Sequence, residues 1–163
     1  MKFNGTILII GDLGQLKAYR VAEVSGIDKH DSAQVSHMQH RGTEKESTVL
    51  ELITDMDYIE SHKKTDELVS DQAGRFGGRL GTSTGEAHDT VLERDRRTLK
   101  AISEDIKTII EKESPRSWHL AFPKDTHNKL VEMLSADIRN TLKKSVPSNL
   151  TKIAKGKLLS HFE

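Results

Sequence analysis

The sequence predicts a single α/β domain, a mixed β-sheet covered by helices. Three observations carry this. Before residue 70 the apolar residues fall in short, β-branched, strand-like groups. After residue 90 they recur at helical spacings. Prolines at 115, 123 and 147 cut that second half into helix- and strand-sized pieces. A chain of 163 residues is long enough to bury a core and short enough to be one domain, taken here as 1–163.

Thr6–Ile10 (TILII) is consecutively apolar and β-branched, the pattern of a central strand buried on both faces. Gly11-Asp12-Leu13-Gly14 is a turn that lacks the third glycine of a phosphate-binding fingerprint. Leu16–Val24 mixes Leu16, Ala18, Val21 and Val24 with charges, and predicts an antiparallel partner strand with a tilt or bulge breaking its alternation. Residues 25–46 are polar and hold His30, His37 and His40 near Asp31. Their spacing fixes no convergent metal geometry, so the stretch is read as a solvated loop, with Val35 and Met38 as a candidate extra strand. Ser47–Tyr58 reads as a third strand, with Glu51, Asp55 and Asp57 at alternate positions on one side of its pleat. Residues 61–69 are a polar connector.

Next comes SDQAGRFGGRLGTSTG, residues 70–85, which holds five of the eleven glycines. Glycine weakens both helix and strand, so such a stretch is a loop that bends sharply or approaches another surface. Residues 70–89 are expected to be a flexible loop. Beyond it, Glu93–Lys112 predicts a long helix, with Leu92, Leu99, Ile102, Ile106, Ile109 and Ile110 on one face. Trp118–Phe122 is a strand between prolines. Asp125 or Thr126 is expected to cap a helix that buries Leu130, Val131 and Leu134. Thr141–Val146 is a strand. A last helix starts at Pro147 and Ser148, burying Leu150, Ile153, Ala154 and Leu158. The resulting order, β-β-β-α-β-α-β-α, matches a ribonuclease-H-like architecture.

Composition narrows function. The chain has no cysteine, which excludes disulfides and thiolate metal sites. Its longest apolar run is strand-sized, so no membrane span is expected. The N-terminus lacks a secretory pattern, which makes a cytoplasmic location the expectation. Net charge is zero but unevenly spread: residues 1–93 carry 10 Lys+Arg against 16 Asp+Glu, and residues 94–163 carry 15 against 9. A basic second half suits nucleic acid, and equally suits helices with solvated lysines.

Several segments together resemble bacterial host attachment proteins, also described as relatives of the archaeo-eukaryotic peptide-chain release factor. They are TILIIGDLGQLKAYRV, Ser70-Asp71 followed by Gly74-Arg75, the long helix, WHLAF, and SVPSNLTKIAKGKLLSHF. The resemblance covers nearly the whole chain. It implies the ribonuclease-H-like fold of the release factor's middle domain, where a Gly-Gly-Gln loop precedes a long helix and helps place water on the peptidyl-tRNA ester. Here Gly77-Gly78 is followed by Arg79. Arginine offers only donors on a long cation, which suits phosphate and not the placing of water. Peptide release is therefore not expected, and no catalytic residue, metal or cofactor is assigned.

The expected activity is that of a factor bound to the ribosome, or to tRNA or rRNA, in translation rescue, quality control or stress. Its contact loop would comprise Asp71, Gly74, Arg75, Gly77, Gly78 and Arg79. Lys143, Lys144, Lys152, Lys155 and Lys157 would form a phosphate-facing patch. Arg75 could instead be structural, paired to Asp71. Two other functions fit the same residues. One is a protein-interaction module anchored by Phe76 and Leu80. The other is a metal-dependent nuclease using Asp12, Asp55, Asp57 and Asp71. The oligomeric state is left open.

Overall fold

The computed structural model describes residues 3–24, 47–58 and 83–163. Among them, β1 (Ile7–Gly11), β2 (Gln15–Val24), β3 (Ser47–Asp57), β4 (Trp118–Ala121) and β5 (Leu142–Val146) form one mixed sheet in the order β3-β2-β1-β4-β5. β2 pairs antiparallel with both β1 and β3, while β4 runs parallel to β1 and β5 parallel to β4. Thus β2 alone runs against the other four. The helices are α1 (Ser83–Glu113), α2 (Lys124–Met133) and α3 (Ala136–Thr141).

β1 is buried along its whole length, as its unbroken apolar run predicts. Its alternation serves two cores. Ile7 and Ile9 face Leu99, Ile102, Ile106 and Ile109 of α1 and Leu130 of α2. Leu8 and Ile10 face the opposite side, against Leu150, Leu158 and Phe162 from the C-terminal segment. The same division explains β2. Leu16 and Ala18 point to the helices and Tyr19 and Val21 to the other side. The broken alternation seen in its sequence reflects two buried faces and no bulge in β2 itself.

The bulges lie in the two edge strands. Ala18 pairs with Thr54 and Tyr19 with Leu52, which leaves Ile53 as the extra residue of β3. Because the side-chain period of a strand is two, one inserted residue reverses the facing of everything beyond it. Leu50 therefore joins the C-terminal core while Met56 joins the helix-side core, although both numbers are even. In β5, Trp118 pairs with Leu142 and His119 with Lys144, so Lys143 is the extra residue. Leu142 packs toward the helices and Val146 toward the opposite side.

Several elements differ from expectation. α1 begins at Ser83, well before Glu93, so the end of the 70–89 stretch is helical backbone. From residue 89 on, the first fully buried side chains are Thr98 and Leu99, and Leu92 is exposed. The apolar period thus locates the packed stretch from Leu99 to Ile110 and not the start of the helix. The early turns carry Glu93, whose carboxylate takes hydrogen bonds from Arg96 and Arg97 and is held down to about 2 by them. α2 is capped by Pro123, not by Asp125 or Thr126, and the Pro123 carbonyl accepts from the N–H groups of Thr126 and His127. The short helix α3 was not foreseen. It is docked by buried Ile138 and by Trp118, whose indole N–H donates to the Ile138 carbonyl at 3.0 Å.

The expected last helix is replaced by two 3-10 turns, Lys155–Lys157 and Leu159–His161. Asn149 turns its side chain onto the Thr151 N–H at 3.0 Å, a local bond that competes with helix. Gly156 adds a further helix-weakening residue. The C-terminal segment still buries Leu150 and Leu158, as expected, and adds Phe162, but Ile153 and Ala154, expected to face in, are exposed because the 3-10 turns break the helical spacing.

Gly11 sits where the β1–β2 turn closes. A Cβ there would stand 2.8 Å from Leu16 Cδ1, 3.0 Å from the Gln15 carbonyl oxygen and 3.1 Å from Phe122 Cε2. Backbone and a buried ring leave little room to yield. Gly11→Ala is expected to destabilise the fold by about 1–3 kcal/mol, the usual cost of overpacking, read as a lower urea midpoint at unchanged slope.

Candidate functional site

The sheet face away from the helices has no helix of its own length to cover it among the described residues. It is covered instead by the C-terminal segment, and the polar residues that hold that segment down define the site. The anchor is Asp12, in the β1–β2 turn. Its Oδ1 accepts from the N–H groups of Gly14 (2.8 Å) and Gln15 (3.0 Å), which shapes the turn. Its Oδ2 accepts from Asn149 Nδ2 at 3.1 Å. The Thr151 hydroxyl lies 3.2 Å from Oδ2 and 2.7 Å from Asn149 Oδ1, and shares its proton between them. One carboxylate thus joins the first turn of the chain to residues 149–151.

This arrangement bears on the carboxylates considered for a metal. Both oxygens of Asp12 are engaged by donors. Glu51 and Asp55, expected on one side of the pleat, are placed on opposite faces by the Ile53 bulge. Glu51 pairs with Arg20 at 3.4 Å, and Arg20 also bonds Glu113 at the end of α1, on the helix side. Asp55 pairs with Lys17 at 3.3 Å on the other face. Among the described residues, no three of His, Asp or Glu gather where they could hold a metal ion. Asp71, the fourth carboxylate of that set, lies outside the described residues.

So do Asp71, Gly74, Arg75, Gly77, Gly78 and Arg79 as the expected contact loop, with Phe76, Leu80 and the three histidines at 30, 37 and 40. The five lysines are all described. Lys143 and Lys144 lie on β5, and Lys152, Lys155 and Lys157 on the C-terminal segment. Lys143, Lys152, Lys155 and Lys157 are exposed. Lys155 Nζ stands 5.7 Å from the centre of the Tyr19 ring, a cation–π contact on the sheet face away from the helices. The Lys144 ammonium donates to the Glu163 carbonyl. Among the described residues no Asp or Glu side chain pairs with any of the five. The segment that covers the second core thus carries unneutralised cations on its outside.

Sequence reasoning passed over His119. It sits on β4, paired with Lys144, and only 3% of it is exposed. Phe3 meets its ring edge-on, and Phe162 lies tilted against it, each with ring centres 5.5 Å away. Neither ring nitrogen has a hydrogen-bond partner among the described residues. Burial first, and the Lys143 charge second, push its pKa below the usual histidine range, opposed by the Lys144 backbone. The hidden signal was position. A polar residue between Trp118 and Leu120 on a four-residue strand has no solvent face to occupy.

The described residues define a mixed α/β protein with a helix-covered face and a lysine-bearing face. A family model described as "Protein required for attachment to host cells" matches residues 10–162, and the chain belongs to this family. No curated protein matches the chain. No helix among the described residues is long and apolar enough to cross a membrane.

Two outcomes test this anatomy. Asp12→Ala removes the acceptor for the turn and for residues 149–151 together, and should cost about 2 kcal/mol, the scale of hydrogen bonds to a charged group. Amide exchange should quicken in 149–162 before it does in α1. The second concerns pH. A histidine whose folded pKa lies below its unfolded value, about 6.5, binds its proton more readily when unfolded. Its contribution is complete above that value and is lost as pH falls through it toward the lowered folded pKa. His119→Leu should therefore flatten the fall in stability below pH ~6.5 by up to about 1.4 kcal/mol per pH unit, measured by urea unfolding of both proteins across that range.

Proposed function

We propose that this protein is a cytoplasmic RNA-docking factor of ribosome-linked type, built on a ribonuclease-H-like domain similar to the release factor's middle domain, and that it acts without hydrolytic chemistry. The observation that carries the reading is the set of exposed, unneutralised lysines that the C-terminal segment brings to one side of the sheet. Lysines free of carboxylate partners suit a polyanion, since phosphate contacts need charge and reach more than sequence-reading geometry. The strand order, with β2 alone antiparallel, supports the architectural part.

The nuclease alternative draws no support from Asp12, whose oxygens are occupied in holding the fold. The interaction-module alternative rested on Phe76 and Leu80, outside the described residues. In the proposed reading Gly77, Gly78 and Arg79 supply further phosphate contacts, and the lysine side supplies electrostatic attraction.

Co-sedimentation with ribosomes at low salt, together with binding to a labelled single-stranded RNA, tests this. Binding should weaken steeply with salt. Replacing Lys152, Lys155 and Lys157 by Gln should lower the slope of log K against log salt by about 2, at roughly 0.7 per phosphate contact on single strands. No co-sedimentation and no RNA binding at low salt would overturn the reading.

A further inference from the structure

His119 opens a second question. A cavity of about 280 Å³ is lined by Phe3, His119, Lys143, Lys144, Phe162 and Glu163. Its components come from four parts of the chain: the residues before β1, strand β4, strand β5 and the end of the C-terminal segment. The Lys143 bulge is what assembles it. Without the bulge, the register set by Leu142 would pair Lys143 with His119 and turn Lys144 to the helix side, where Leu142 lies. With it, Lys144 shares the His119 side while Lys143 stands off the ladder at the rim.

The cavity combines three chemistries. Phe3 and Phe162 give aromatic walls. Lys143 and Lys144 place two cations at its edge, against one carboxylate from Glu163. His119 gives a buried imidazole, 3% exposed, whose nitrogens make no hydrogen bond of good geometry among the described residues, with the Lys144 backbone as a polar neighbour. An unpaired polar group in such a place is costly unless something completes it. A neutral imidazole offers one donor and one acceptor. A ligand that fits all three features has a flat aromatic body, a hydrogen-bonding edge with both donors and acceptors, and an anionic group.

We propose that this cavity binds one nucleotide unit, its base against the aromatic walls with its edge on His119, and its phosphate on Lys143 and Lys144. Proteins that take unstacked nucleotides from RNA use the same combination of aromatic faces, edge hydrogen bonds and phosphate-binding cations. His119 lines the cavity, and both of its nitrogens are shielded from solvent. Rotation about χ2, a broad torsion in histidine, turns one of them toward the base. Because the folded imidazole is held neutral, it keeps its acceptor as well as its donor near neutral pH. The source of the nucleotide is either a free monophosphate or an unpaired residue of an RNA strand. The second rests on the RNA-docking function proposed above.

The test is an NMR titration of the full chain, following the imidazole signals of His119, assigned by their loss in His119→Gln. Adenosine and uridine 5′-monophosphates are the probes, with inorganic phosphate and adenosine as controls. A labelled single-stranded RNA is measured in parallel by fluorescence anisotropy. At least one monophosphate should shift the His119 signals saturably, and Lys143→Ala with Lys144→Ala should weaken this by about tenfold or more, as the loss of charge-assisted contacts predicts. Glu163→Gln should tighten it, by removing the side-chain carboxylate at the rim. If inorganic phosphate shifts His119 as strongly as the nucleotides, the site holds an adventitious ion only and the proposal falls. Monophosphate binding without RNA binding upholds the cavity and overturns the RNA-docking function. RNA binding that leaves His119 unmoved, with no response to monophosphates, does the reverse. Silence in both arms overturns both.

Discussion

The structure depends on a strand that has no solvent face. β1 buries Ile7 and Ile9 on one side and Leu8 and Ile10 on the other. Removing apolar surface from water is the main favourable term in folding, and a central strand with two apolar faces needs a cover for each. α1 and α2 supply the first cover. The second is a segment of short 3-10 turns whose own backbone hydrogen bonds, such as Ile153 to Leu150 and Phe162 to Leu159, are all local and do not tie it to the sheet. It is held instead by three buried residues, Leu150, Leu158 and Phe162, and by the hydrogen bonds of Asp12. A carboxylate accepting from backbone and side chains is among the stronger polar contacts available near a surface. Placed in the tight turn directly after β1, it links the start of the strand pair to the piece that covers it.

That dependence explains which parts of the fold were legible in the sequence. Elements defined by burial were readable: the doubly apolar β1, the Leu99–Ile110 face of α1, and Trp118–Phe122 between prolines. Elements defined by backbone detail were not. α3 offers only Ile138 as a buried residue, too little for a period. The C-terminal segment shows apolar spacings that a helix would also produce, and the Asn149 turn that redirects it is a side-chain event. The two bulges were invisible for a different reason. A single inserted residue changes facing, not composition, so Glu51 and Asp55 look like one acidic row until the partner strand fixes their register.

The same limits governed the site. The lysines were legible as charges, and their common side was not, because it follows from the C-terminal segment crossing the sheet. Cations on a segment that must stay down are a tension: they repel one another and gain nothing from the apolar core beneath. Lys155 eases this by lying over Tyr19, and Lys144 by bonding the Glu163 carbonyl. Lys152 and Lys157 have no such relief among the described residues. Charge held without local compensation raises the potential of that face, and such a potential attracts an anionic partner before any contact forms.

His119 is the sharpest case of a residue that stability alone does not explain. Its neighbours along β4 are Trp118 and Leu120, both fully buried, and its ring is packed by two phenylalanines. A leucine or phenylalanine would suit that environment with no polar atom to satisfy. Holding an imidazole there, neutral and without a partner, costs the fold about 1–3 kcal/mol. The nearby lysines deepen the cost, because they oppose the protonation that would otherwise let the ring find water or an anion. Local choices in a folded chain usually agree with one another, and a place where they conflict is where function is most reasonably sought. In this chain the conflict falls at the edge of the lysine-bearing face, beside the bulge that turns Lys144 toward it. The buried imidazole and the lysines beside it therefore belong to one surface, and a single anionic, hydrogen-bonding ligand would serve both.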